Sequence, residues 1–261
     1  MTSFLIPAAN AGFTNTNALV GSQGNDSITL INTFVAPFTD GILLLGGNDS
    51  LQSLQADALL VNGNEGNDSI SGGPSNDVIF GGRDQDVLFG GSGGDEQIFG
   101  NLGNDVIAGG NGNDSLYGGQ FSDILNGDEG SDQLFGDLGN DTLDGDAGRD
   151  SLTGGPGTDI FVFDPGEASF SINEVDEIRD FTVDSLNFEN NDVIVVPEDT
   201  PINEASLERN IDINGDGLLD IPIELLDGRF LGVIINDGNL FVDRILLGID
   251  IVFSDNFDFN L

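Results

Sequence analysis

The chain has 261 residues, 46 of them acidic and six basic, for a formal charge of −40, and it holds no cysteine and no histidine. These numbers exclude a disulfide framework, histidine-based catalysis or transition-metal binding, and binding to nucleic acid or an anionic membrane. Six basic side chains cannot neutralise 46 carboxylates, so folding needs cations from solution; with only oxygen donors to hold them these are hard ions, Ca²⁺ before Mg²⁺.

Residues 1–19 form an N-terminal arm. The opening "MTSFLIPAANAGFTNTNALV" has neither a basic segment nor a long apolar one, so no cleaved secretory signal is expected. No stretch of the sequence reaches the roughly 18 apolar residues of a membrane-spanning helix. Residues 20–62 begin a pattern irregularly. "GSQGNDSIT" places a glycine-aspartate unit at Asp26 and "LGGNDSL" another at Asp49, while Asp40 and Asp57 mark degenerate units. The run "TLINTFVAPF" reads as a longer apolar strand or loop.

From residue 63 to 164 the pattern is regular. Aspartates recur at Asp68, Asp77, Asp86, Asp95, Asp105, Asp114, Asp123, Asp132, Asp141, Asp150 and Asp159, in steps of nine except the ten between Asp95 and Asp105. The extra residue lies in "GGDEQIFG" and predicts a bulge near Glu96. Two residues after each aspartate stands one apolar side chain, from Ile70 to Phe161, with Ile98 in the ten-residue unit; five residues before each stands a glycine. G-G-x-G-x-D-x-apolar-x is the nonapeptide of a Ca²⁺-binding parallel β-roll. A short strand has one inward side chain, hence one leucine or isoleucine per unit. Glycines turn the chain and leave carbonyl oxygens facing one point, and the aspartate adds charge to them. Two units make an 18-residue coil, coils stack about 4.8 Å apart, and each ion joins a unit to the one two further on. Eleven such units allow about nine ions in two rows. Residues 20–62 then read as the N-terminal cap of the roll, because terminal repeats are usually atypical.

With "GGNGNDSLYG" and "GDLGNDTLDG", residues 63–164 resemble the RTX, or hemolysin-type, calcium-binding repeats of secreted bacterial proteins. The resemblance implies an all-β, right-handed parallel β-roll that is unfolded at low calcium and folds outside the cell. It also implies export by type I secretion machinery that reads an uncleaved C-terminal signal. The chain departs from the pattern where Ser75, Asp84 and Phe121 replace the glycine at repeat position four. A side chain at positive φ is strained, phenylalanine most of all, so weakened ion sites are expected beside Phe121 and an extra carboxylate at Asp84.

The last residue of alternate units is aromatic: Phe80, Phe99, Tyr117 and Phe135, one coil apart. They predict a ladder of rings on one outer face, either packed on itself or serving as a docking face. The opposite face carries Ser71, Phe89, Ala108, Asn126 and Asp144.

Residues 165–261 lose the glycine density and gain strand-like alternation. "VDEIRDF … NDVIVV" is similar to the segment that follows the repeats in serralysin-type proteins, so a β-rich capping and secretion domain is expected, covering the open edge of the roll. Within it, "DINGDGLLD" opens like an EF-hand loop, with Asp212, Asn214, Asp216, a backbone carbonyl at Leu218, and Asp220 as ligands of one further Ca²⁺. The tail "SDNFDFNL" is similar to those read by type I exporters.

"GGSGG" at 90–94 fits the G-x-S-x-G elbow, but without histidine no such triad can form. The sequence therefore points to a non-enzymatic, secreted, calcium-binding protein. One reading makes it a structural component of a surface layer, extracellular matrix or filament, self-associating. The other makes it a binding module or adhesin that grips a glycan or protein through the aromatic face or the C-terminal domain.

Overall fold

The computed structural model describes residues 2–6, 18–30, 41–54, 57–166, 168–181, 192–196, 220–234 and 250–253. Its strands fall into two sheets, and along the chain they alternate between them. The first sheet runs from Thr2–Ile6 through Asp26–Leu30, Ser50–Ser53, Ser69–Gly73, Val87–Gly91, Val106–Asn111, Ile124–Gly130, Thr142–Asp144, Ile160–Val162 and Val193–Val196 to Asp250–Phe253. The second runs from Ala18–Val20 through Gly41–Leu43, Leu60–Glu65, Val78–Arg83, Gln97–Leu102, Ser115–Gln120, Gln133–Leu138, Ser151–Thr153 and Asp176–Ile178 to Phe230–Ile234, and ends on Ile221–Glu224. All of these pairings are parallel but the last, Ile221–Glu224 on Phe230–Ile234. A chain that lays one strand in each sheet and returns to stack in parallel is a parallel β-roll.

The register follows the sequence pattern. Ile98 pairs with Ile79 on one side and Leu116 on the other, Ile107 with Leu88 and Leu125. Period-two alternation sends these side chains inward, where Ile70, Ile79, Leu88, Ile98, Ile107, Leu116, Leu125, Leu134, Leu143 and Leu152 are fully buried between the sheets. Each unit thus adds one aliphatic side chain to a thin core, and Phe161, Phe163 and Phe181 widen it beyond the last regular coil.

The strands are longer than the three residues that the repeat suggests. Val78–Arg83 and Gln97–Leu102 run through the first three turn residues, and Asn101 with Gly82 and Leu102 with Arg83 still pair in register. The second of the three is the one that turns the chain, with positive φ at Gly73, Gly82, Gly91, Gly110 and Gly119. Where glycine is missing there, the regular repeat uses Asn64, Asn101, Asp128, Asp137 or Asp146, with φ between 58° and 75°, and the irregular unit before Asp49 uses Leu45 at 75°. Asparagine and aspartate are the side chains that tolerate the left-handed region best.

Both ends of the chain join the sheets. Within the expected arm, Thr2–Ile6 pairs with Asp26–Leu30, Thr2 beside Asp26, and Ala18–Val20 pairs with Gly41–Leu43. The described strands of residues 165–261 continue the two sheets: Asp176–Ile178 stacks on Ser151–Thr153 and Val193–Val196 on Ile160–Val162. Among the described residues no helix is long and apolar enough to cross a membrane.

Candidate metal centre

The aspartates of the repeat stand at the entrance to each strand, inside the roll. On the first-sheet side Asp26, Asp49, Asp68, Asp86, Asp105, Asp123, Asp141 and Asp159 form one column, and all are buried. From Asp49 on, each carboxylate of this column receives the backbone N–H of the aspartate one coil before it. Asp68 N donates to Asp86 Oδ1 at 2.8 Å, Asp105 N to Asp123 Oδ1 at 2.8 Å and Asp141 N to Asp159 Oδ1 at 2.9 Å. The second column rises from Asp77, which accepts Leu59 N, through Asp114 and Asp132 to Asp150. Leu59, not Asp57, occupies the column position of this degenerate unit, and Asp57 is exposed. Asp40 lies outside the described residues.

The ladder uses one oxygen of each carboxylate and leaves the other bare. Thirteen carboxylate oxygens on twelve side chains, from Asp49 to Asp159 and including both of Glu96, are buried without a hydrogen-bond partner. From Asp68 to Asp159 each bare aspartate Oδ2 leans over the glycine five residues before it. A methyl group on Gly118 would meet Asp123 Oδ2 at 2.5 Å and Gly136 O of the next coil at 2.7 Å; one on Gly127 would meet Asp132 Oδ2 and Gly145 O at 2.5 and 2.6 Å. Only glycine leaves open this corner between a carboxylate and a carbonyl. Burial without a partner is costly for a polar atom, and more so for a charged one. It pushes the carboxyls up: Asp68 and Asp141 to about 7, Asp86, Asp123 and Asp132 to about 8, and Asp77, Asp105 and Asp159 to about 6. Desolvation is the largest cause throughout, and the N–H donors work against it.

Among the described residues no arginine offsets these charges. The four arginines among the described residues are engaged elsewhere: Arg83 with Glu65, Arg149 and Arg179 with the buried Glu177, and Arg229 with Asp227. The donor set is oxygen alone, carboxylate plus carbonyl, and it suits a hard divalent cation. No three acidic side chains converge on one point among the described residues, so carbonyl oxygens of the glycine turns must complete the shell.

Three placements differ from expectation. Asp95 is exposed, and its Oδ1 accepts Asn113 N; Glu96 takes its place in the column, 1% exposed, and Glu96 N donates to Asp114 Oδ1. The extra residue sits in the turn, so the longer glutamate replaces the aspartate, and burial pushes its carboxyl up to about 9. Ile98 was the available signal: it stands two residues after Glu96 and three after Asp95. Asp26 differs too, since Ser22 N donates to its Oδ2 at 2.6 Å and leaves that oxygen satisfied. Asp176 and Asp192, absent from the repeat reading, extend the two columns by accepting Asp150 N and Asp159 N, both at 2.9 Å. Their cue was D-x-I, in "DEI" and "DVI", without a glycine turn before it. Of the C-terminal loop, Asp220 is buried at the start of Ile221–Glu224; Asp212, Asn214, Asp216 and Leu218 lie outside the described residues.

At the position-four departures, Phe121 has φ 80° and Asp84 φ 73°, whereas Ser75 avoids positive φ. Asp84 Oδ2 accepts Gly66 N at 3.2 Å. Phe80, Phe99, Tyr117 and Phe135 stack with centroids 4.8–4.9 Å apart and planes within 10°.

Residues 62–96, 90–125 and 126–161 match the family described as RTX calcium-binding nonapeptide repeat (4 copies). No match was found among curated proteins. Among solved structures, the chain is similar to the solution structure of the AlgE6R3 subunit from the Azotobacter vinelandii mannuronan C5-epimerase. The identity is 27%, with 59% of this chain and 84% of that chain covered, and the TM-score is 0.43. The phase of glycine, acid and aliphatic residue, the bare buried carboxylates and the matched segment together identify residues 62–161 as an RTX calcium-binding repeat array folded as a parallel β-roll.

Proposed function

We propose that this chain is a non-catalytic extracellular protein whose roll is a calcium-dependent scaffold. It is exported unfolded by type I secretion machinery and folds where calcium is plentiful. The observation that carries this reading is the set of thirteen bare, buried carboxylate oxygens. A column of such charges about one strand spacing apart repels itself strongly at low effective dielectric, and bound calcium supplies the missing positive charge. Asp49, Asp68, Asp77, Asp86, Glu96, Asp105, Asp114, Asp123, Asp132, Asp141, Asp150 and Asp159 are the residues to hold it in the array, with Asp212, Asn214, Asp216, Leu218 and Asp220 around a further ion near the C-terminus.

In this reading the roll stiffens a surface layer, matrix or filament, with copies associating once folded. The ring ladder supports a structural rather than a sugar-binding role. Ring faces packed on one another at 4.8–4.9 Å are closed to a pyranose, which would need one to stack on. Circular dichroism during a chelator titration tests the folding claim: strand signal should be lost cooperatively, with a calcium midpoint around 10⁻⁴–10⁻³ M as in extracellular modules. Strand content unchanged in EDTA defeats it. Light scattering with and without millimolar calcium tests assembly, and strict monomers in both would defeat that part alone.

A further inference from the structure

We propose that the roll carries a cation site beyond the end of its repeat array, between Asp150 and Asp176, which ties the C-terminal strands of the second sheet to the array. The proposal rests on the calcium reading above, but its residues reach past the matched segment, which ends at 161.

Asp176 follows Asp150 by 26 residues rather than 18, after a short 3₁₀ turn at Ile172–Glu174. Strand pairing of Ser151 with Glu177 and Leu152 with Ile178 nevertheless sets Asp176 one coil above Asp150. Asp150 N donates to Asp176 Oδ1 at 2.9 Å. The two residues are 1% and 5% exposed, and Asp150 Oδ2 is buried with no hydrogen-bond partner. That oxygen leans over Gly145, as its counterparts lean over theirs.

What lies above it is different. Over Gly127 the corner is closed by Asp132 Oδ2 and by Gly145 O of the following coil; over Gly145 the three nearest atoms all belong to Asp150. No glycine turn follows to lend a carbonyl, and the group of the next coil that acts on the Asp150 carboxyl is the Asp176 carboxylate beside it. Arg149 and Arg179, the arginines nearest in sequence, are both engaged by Glu177 on the outward side of the same strand. Two adjacent buried carboxylates, one of them with a bare oxygen and both offering oxygen donors only, call for a hard divalent cation. An ion there anchors Asp176–Ile178, on which Phe230–Ile234 and then Ile221–Glu224 are built. The last coils of the second sheet would then depend on calcium although they lack the nonapeptide.

The test counts bound ions by native mass spectrometry at saturating CaCl₂ in the full chain and in Asp176→Asn. Asparagine keeps the acceptor for Asp150 N–H and removes only the charge. The expected result is one Ca²⁺ fewer, with faster hydrogen exchange at 176–178 and 230–234 and unchanged protection at 97–138. Asp176→Glu, which keeps the charge, should restore the count. A full complement of ions in Asp176→Asn overturns the proposal, as does an Asp176→Glu count no higher than that of Asp176→Asn, or loss of structure throughout the array. If the wild-type chain binds no calcium at all, the calcium reading itself fails, and that outcome is distinct from these.

Discussion

From Asp49 to Asp159 each ladder aspartate divides its carboxylate: one oxygen accepts a backbone N–H of the coil before it, and the other is left bare. Glu96 breaks the rule, since both of its oxygens are bare and the extra turn residue displaces Asp95 to the surface. The opposite kind of departure is Phe121, where a bulky side chain sits at φ 80° with 61% of its surface exposed. A left-handed conformation costs roughly 1–2 kcal/mol for a residue other than glycine, less for asparagine. Phe121→Asn should therefore stabilise the calcium-loaded protein by about 1 kcal/mol. Thermal unfolding in excess calcium checks this, and a lower melting temperature would show that the phenyl ring contributes more packing than its exposure suggests.

At the scale of the element, each strand from Ser69–Gly73 to Ser151–Thr153 except Ala147–Gly148 carries an aliphatic side chain inward, and four successive strands of the second sheet carry an aromatic ring outward. The inward set is nearly invariant in depth, because a thin core between two sheets has room for one branched side chain per unit. The outward rings have only each other, and stacked aromatic pairs contribute about 0.5–1.5 kcal/mol each beyond burial. Tyr117 stacks on Phe99 below and Phe135 above. Tyr117→Ala should cost about 1–3 kcal/mol through two lost pairs, while Tyr117→Phe should be close to neutral. Chemical denaturation at fixed calcium distinguishes these; an alanine variant as stable as wild type would mean that the ladder follows from the fold without supporting it.

For the whole molecule the columns act together, and protons compete with calcium for them. Burial raises the folded-state pKa values of Asp68, Asp77, Asp86, Asp105, Asp123, Asp132, Asp141 and Asp159 from 3.8 to between about 6 and 8. In the unfolded chain they ionise near 3.8, so below that pH both states are protonated and the carboxyls impose no penalty. As pH rises from there through the folded values, the folded chain binds more protons than the unfolded one, and stability falls with pH. Calcium-free protein should thus gain strand content on acidification below about pH 5 and lose it above about pH 8, while calcium binding near neutral pH should release protons. Circular dichroism against pH in EDTA tests the first expectation, and flat strand content between pH 4 and 8 would contradict it.

Much of this molecule was legible in the sequence because a solenoid is nearly one-dimensional. A nine-residue clock that locks glycine, aspartate and aliphatic residue in phase sets the strand, its inward side chain and the coil spacing without reference to anything distant. What it could not fix is whatever depends on the coil next door. The replacement of Asp95 by Glu96 is decided by which side chain reaches the column once Ile98 is seated in the core. Asp176 and Asp192 join the columns through strand pairing across 26 and 33 residues, separations that do not follow the clock. That one carboxylate oxygen is satisfied and the other bare is likewise a fact of stacked coils: the donor of each bond comes from the neighbouring coil, and only the assembled roll brings the two together.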